Sequence, residues 1–144
     1  YNIILGSGPD SKLFREVREK NSLCYTINSV PNKLDSVLII RAGIDKKNIK
    51  KTVSLVEDQM NMMRKGKFQE KDINIAKEYF QTAMDSLLES QLSIIESYYM
   101  MDLVGLDSIE KRTKKMNEVT FNDIVKVAKK VKMDTVYCLE GVKE

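Results

Sequence analysis

The run Ser11-Lys12-Leu13-Phe14-Arg15-Glu16-Val17-Arg18-Glu19-Lys20-Asn21-Ser22-Leu23-Cys24-Tyr25-Thr26-Ile27 changes its hydrophobic period part-way through. The first half is helical. Leu13, Phe14 and Val17 follow the three-to-four spacing, and Asp10 or Ser11 can cap the start. Arg15 and Glu19 stand at i, i+4 on the outer side, a weakly helpful ion pair. Asn21 tolerates a left-handed backbone, so the helix is expected to end near it. From Leu23 the period is two: Leu23, Tyr25 and Ile27 share one face, and Cys24, Thr26 and Asn28 the other. Pro31-Asn32-Lys33 followed by Asp35 reads as a turn. Ser36 to Ile44 reads as a strand buried on both faces, because Val37-Leu38-Ile39-Ile40 is continuously apolar. The unit is a helix feeding a hairpin.

On the upstream side, Tyr1-Asn2-Ile3-Ile4-Leu5 is too short to assign by period and runs into the breaker Gly6-Ser7-Gly8-Pro9-Asp10. Downstream the pattern is helical. Asp45 is a plausible N-cap, and Ile49, Val53, Val56, Met60 and Met63 make an amphipathic stripe that Gly66 stops. A longer helix starts near Gln69, with Ile73, Ala76, Phe80, Ala83, Leu87 and Leu88 on one face. It reads on towards Gly105 with a kink around Ser90–Ser93. A short basic helix, Ser108 to Asn117, follows. Thr120 and Asp123 cap a last helix that turns Ile124, Val127, Ala128 and Val131 inward. Thr135 to Leu139 reads as a closing strand. The class is therefore α+β, a small antiparallel or mixed sheet with helices packed on one face. Three strands are few for so much helix, so a fourth is expected upstream of Tyr1. With no repeat or linker to divide it, 1–144 reads as a single domain, and as a piece of something longer.

Composition narrows the chemistry. A chain of 144 residues with 42% hydrophobic and 31% charged residues can bury a core. Lys and Arg (24) nearly balance Asp and Glu (21), leaving a net charge of +3, and the Lys-rich tracts lie on outer helix faces without aromatic stacking partners. Nucleic acid is thus not an expected partner. Nor is a membrane, since no apolar run approaches the roughly 20 residues of a span. The eight methionines read as packing residues. Gly6-Ser7-Gly8 departs from the dinucleotide fingerprint, because Ser11 stands where its last glycine belongs, and it lacks the Lys of a phosphate loop. Histidine is absent altogether. That removes the commonest general base and the commonest metal ligand. The two cysteines, Cys24 and Cys138, cannot hold zinc alone and read as buried thiols of a reducing, cytoplasmic setting. By itself this chain is not expected to hydrolyse anything.

Arg18 and Tyr25 are the residues with chemistry to offer. Arg18 is i+4 from Phe14, so its stem follows the edge of the buried face. A helix end feeding a strand can bring guanidinium and phenol to one sheet edge, as donors for a peptide carbonyl or a developing oxyanion. On residue types alone, a surface arginine and a core tyrosine remain the plainer reading.

The stretch Ser11 to Tyr25, preceded by Leu5-Gly6-Ser7-Gly8-Pro9, closely resembles a signature of the insulinase/pitrilysin peptidases, the inverted zincins: S-[KR]-L-F-x-x-[VL]-R-E-K-x-x-L-[AGC]-Y, in their C-terminal half. A looser match continues through Gly43-Ile44, Gly66-Lys67-Phe68 and Asp134-Thr135-Val136-Tyr137, and looks like the single-chain bacterial members of Firmicutes type. The resemblance implies two similar α+β halves closing over a peptide. The N-terminal half carries H-x-x-E-H and a distal Glu, which hold zinc. The C-terminal half binds no metal. By position its functional pair is Arg18, for the substrate backbone, and Tyr25, for a hydrogen bond to the scissile carbonyl or its oxyanion. Implied partners are the N-terminal zinc-binding half, a peptide, and a homo- or hetero-dimer partner. The alternative is a non-catalytic scaffold half of a degenerate member. The resemblance also makes Tyr1–Leu5 the last turn of a helix, and the chain a half-domain shortened at its N-terminal side.

Overall fold

The computed structural model describes residues 1–141. Within it the chain forms two compact units, Tyr1–Phe68 joined by the segment from Ile124 on, and Gln69–Asp123.

The first unit holds α1 (Asn2–Gly6), a π-helix (Phe14–Lys20), β1 (Cys24–Asn32), β2 (Val37–Ile44), a short 3₁₀ turn (Lys46–Asn48) and α2 (Ile49–Arg64). Helix over strand at the start, as the resemblance implied, is what forms. β1 and β2 pair antiparallel from Thr26↔Gly43 to Asn32↔Val37. α1 and the π-helix gather against β1, and α2 packs on those two helices in turn, which puts helices on one face of a small sheet. Leu5, Leu13, Val17 and Met63 are fully buried there with Ile27, Val56 and Met60. Each such side chain contributes about 1.5–3 kcal/mol of burial. Gly6 is part of the same contact. A Cβ on it would sit 2.5 Å from Ser29 Oγ and 2.9 Å from Leu13 Cδ1, so no larger residue fits. Ser29, buried on β1, donates to Asn2 Oδ1 at 2.6 Å.

Several sequence expectations change here. The left-handed residue after the π-helix is Ser22 (φ 50), whereas Asn21 stays right-handed and instead donates Nδ2 to Glu16 O at 2.8 Å. Arg15 pairs with Asp10 at 2.8 Å and Lys20 with Glu16 at 3.1 Å, rather than Arg15 with Glu19. β2 is not buried on both faces: Val37 and Ile39 are exposed, as is Val30 opposite Ile39, while Leu38 and Ile40 are half-buried. The helices cover one face of the hairpin only. Thr135–Leu139 forms no strand, and residues 131–141 carry neither helix nor ladder. A strand needs a paired edge as well as a β-rich composition. Among the described residues this segment is tied by the Val131 N–H donating to Val127 O at 3.2 Å, Arg64 Nη2 donating to Val131 O at 2.7 Å and Lys46 meeting Glu140 at 2.7 Å, not by a strand partner. Cys138 is consequently exposed and Cys24 half-buried, both as free thiols and neither as the buried packing residue expected.

The second unit comprises α3 (Glu70–Glu89), α4 (Gln91–Val104) and α5 (Ile109–Glu118). α3 opens with a capping box in which the Gln69 N–H donates to Asp72 at 2.8 Å. The expected kink is a full break at Ser90, whose extended backbone (φ −108, ψ 117) ends α3 and whose Oγ caps α4 through the Ser93 N–H. Ala83 and Leu88, expected inward, are exposed. α6 (Phe121–Lys130) buries Ile124 and Ala128, with Val127 left exposed. Among the described residues, no helix is long and apolar enough to cross a membrane.

Candidate functional site

Local sequence positions the site. Ser11 Oγ donates to Gly8 O at 2.7 Å and accepts from the Phe14 N–H, fixing the start of the π-helix. Leu13 and Val17 are fully buried and so set its rotation, which leaves Phe14 and Arg18, one turn apart, along its half-buried flank. A single-turn π segment of this kind is rare and recurs at functional sites. At its end the chain reverses tightly: the Ser22 N–H donates to Arg18 O and the Leu23 N–H to Val17 O, each at 3.0 Å. β1 therefore starts directly beside the helix that precedes it.

The next device is a β-bulge. Cys24 lies opposite Ile44 and Thr26 opposite Gly43, so Tyr25 is the extra residue on β1. In an unbroken strand Tyr25 would share the inner face with Ile27, as its alternation suggested. The bulge re-aims it. Leu23 and Ile27 are buried, and Tyr25 is 81% exposed.

Arg18 then meets two rings. Its Cζ lies 4.5 Å from the Phe14 ring centroid and 5.3 Å from that of Tyr25. Among the described residues, neither its guanidinium nor the Tyr25 hydroxyl has a hydrogen-bond partner in the protein. An arginine held through its faces keeps its in-plane N–H groups free for a ligand. Cys24 lies close by. Burial pushes its thiol above the usual value, against the opposing pull of the Arg18 guanidinium.

Arg18 and Tyr25, the two residues singled out in the sequence, thus come together. The i, i+4 spacing of Phe14 and Arg18 was read as placing the Arg18 stem along the buried edge, and not as a ring under its guanidinium. The chain has no histidine, and among the described residues no three His, Cys, Asp or Glu side chains converge. The second unit contains an open groove of about 630 Å³ between α3 and α5, lined by residues such as Met84, Asp85, Glu110 and Thr113; hydrogen bonds from its own backbone and from Ser108 pull the Glu110 carboxyl below its ordinary value.

The family model described as the peptidase M16 inactive domain matches residues 1–80, which include the whole Arg18–Tyr25 site. The chain belongs to that family. This is the peptidase group to which the Ser11–Tyr25 signature pointed. A Bacillus subtilis (strain 168) protein, YmfF, described as a probable inactive metalloprotease, is 31% identical over 142 residues, covering 98% of this chain and 33% of that protein. A conserved protein from Enterococcus faecalis V583 is 30% identical with a TM-score of 0.81, over 89% of this chain and 31% of the other. A peptidase M16 inactive domain from Pseudomonas fluorescens, at 23% identity and TM-score 0.78 over 90% and 32% of the two chains, shares the fold. The chain spans about a third of the length of these relatives.

Proposed function

We propose that residues 1–144 act as one peptide-gripping half of a two-half peptidase, with Arg18 holding the substrate backbone and Tyr25 donating to the scissile carbonyl or its oxyanion. The observation that carries this reading is the Arg18–Tyr25 pair, two adjacent donors with no protein acceptor, one of them swung outward by a bulge. The zinc is assigned to the N-terminal half, which makes that half the obligatory partner, and this chain alone is inactive. Free thiols at Cys24 and Cys138 fit a reducing, cytoplasmic setting.

The test is made in the full-length parent with a fluorescein-labelled, casein-derived unstructured peptide. Tyr25→Phe is expected to slow cleavage by about 10²–10³. Arg18→Ala is expected to weaken peptide affinity by at least about tenfold. Wild-type cleavage and affinity in both, with unchanged thermal unfolding, overturn the assigned roles. A second reading is supported by the name of the Bacillus relative, a probable inactive metalloprotease: a scaffold half that grips peptide without cleavage. It predicts no cleavage by the wild-type parent and the same loss of affinity on Arg18→Ala.

A further inference from the structure

The geometry points to Phe14 as a positioning residue, the ring that holds the Arg18 guanidinium in its peptide-binding pose; this rests on the peptide-gripping role of Arg18. Phe14 has no polar atom and can make no hydrogen bond to a peptide. What it has is the nearer of the two rings under Arg18, 4.5 Å from Cζ against 5.3 Å for Tyr25. The two rings also differ in how firmly they are held. Tyr25 stands 81% exposed on a bulge, while Phe14 is half-buried on a helix whose rotation is fixed by the fully buried Leu13 and Val17.

An arginine with no hydrogen-bond partner is a flexible side chain with many rotamers, and aiming its fork at a carbonyl means giving up that freedom. A ring against the guanidinium face removes it beforehand, because the attraction acts across the face and leaves the in-plane donors unused. Acidic side chains near the helix do not perform the task. Asp10 is engaged by Arg15 and Glu16 by Lys20, and neither bonds Arg18. The aromatic face is therefore what orients this cation before the peptide arrives, and the exposed Tyr25 ring is left to meet the ligand.

The experiment is a mutant cycle in the full-length parent, reading affinity for the same fluorescein-labelled peptide. Phe14→Leu keeps an apolar side chain and removes the ring. It should weaken binding by about fivefold, with the thermal midpoint and the kcat of any cleavage unchanged. Phe14→Tyr should restore wild-type affinity. Placed on Arg18→Ala, Phe14→Leu should have no further effect, because the residue it positions is gone. As a readout independent of binding, the ring-current-shifted Nε–H resonance of Arg18 should move towards its random-coil position in Phe14→Leu and not in Phe14→Tyr. Wild-type affinity in Phe14→Leu beside weak binding in Arg18→Ala overturns the positioning role and leaves the Arg18 role standing. An equal loss in both backgrounds, or loss of the folded state in Phe14→Leu with an unshifted Nε–H in the wild type, also overturns it. Full affinity in Arg18→Ala removes the functional reading beneath it.

Discussion

At the residue scale, Thr52 is one of two side chains of the first unit, with Tyr1, whose buried hydroxyl lacks a partner among the described residues. It is buried on α2, and its Oγ1 has no hydrogen-bond partner among the described residues. A hydroxyl taken out of water without a partner loses its solvation and gains nothing in return. Valine has the same shape and nearly the same helix propensity. Thr52→Val is therefore expected to stabilise the chain by about 1 kcal/mol, seen as a higher midpoint in thermal or urea unfolding. A lower midpoint would mean the hydroxyl has a partner after all. The Arg18 guanidinium and the Tyr25 hydroxyl are the opposite case: donors without a hydrogen-bond partner in the protein, one on a half-buried flank and one on an exposed bulge, within reach of water.

At the element scale, the entry into α5 is held by charge. Asp107 accepts from Lys111 at 2.7 Å and from Lys115, one and two turns along the helix. Hydrogen bonds from Lys111, then Lys115, hold the Asp107 carboxyl well below its ordinary value of 3.8, at about 2. The folded form thus releases this proton more readily than the unfolded chain. The support is present above the unfolded pKa and is lost as pH falls through about 2. A carbon-detected NMR titration of the Asp107 carboxyl is expected to give a midpoint near 2, rising towards 3.8 when Lys111 and Lys115 are replaced by alanine. A wild-type midpoint at 3.8 would show that the lysines do not hold it. α4 illustrates a different balance. Leu92, Ile95, Tyr98, Tyr99 and Leu103 are exposed on it, while its covered side is a narrow stripe of half-buried Ile94, Met101 and Val104 around the buried Ser97, and Ser90 caps its start.

At the scale of the whole molecule, Arg18 and Tyr25 stand as donors without a hydrogen-bond partner, and among the described residues no three His, Cys, Asp or Glu side chains converge as a metal site requires. Binding to the folded state alone would raise stability in proportion to RT ln(1 + [L]/Kd). Zinc added to this chain is expected to leave its thermal midpoint where it was, and a chelator likewise. A clear upward shift with equimolar zinc would reveal a ligand set that the side-chain chemistry does not contain. Family membership and the α+β layering are properties of the chain as a whole; the Arg18–Tyr25 pair occupies a short stretch of it, at the junction of one helix and one strand.

Much of this was legible in the sequence, because local physics decides it. Periods of 3.6 and 2 placed a helix at Phe14–Lys20, the hairpin, α2, α3 and α6, and Thr120 with Asp123 marked the start of α6, whereas Ser90 read only as a kink. The signature from Ser11 to Tyr25 determined the family. Tertiary pairing decided the rest. Whether Thr135–Leu139 is a strand, and whether β2 is covered on both faces, depends on neighbours that no local pattern encodes. The exposure of Tyr25 was settled by a single extra residue in the ladder, since one step of register moves a side chain to the other face. That step turned a tyrosine with a core pattern into an outward donor beside Arg18. It did so through the pairing of β1 with β2, a contact between segments that the period of either one leaves open.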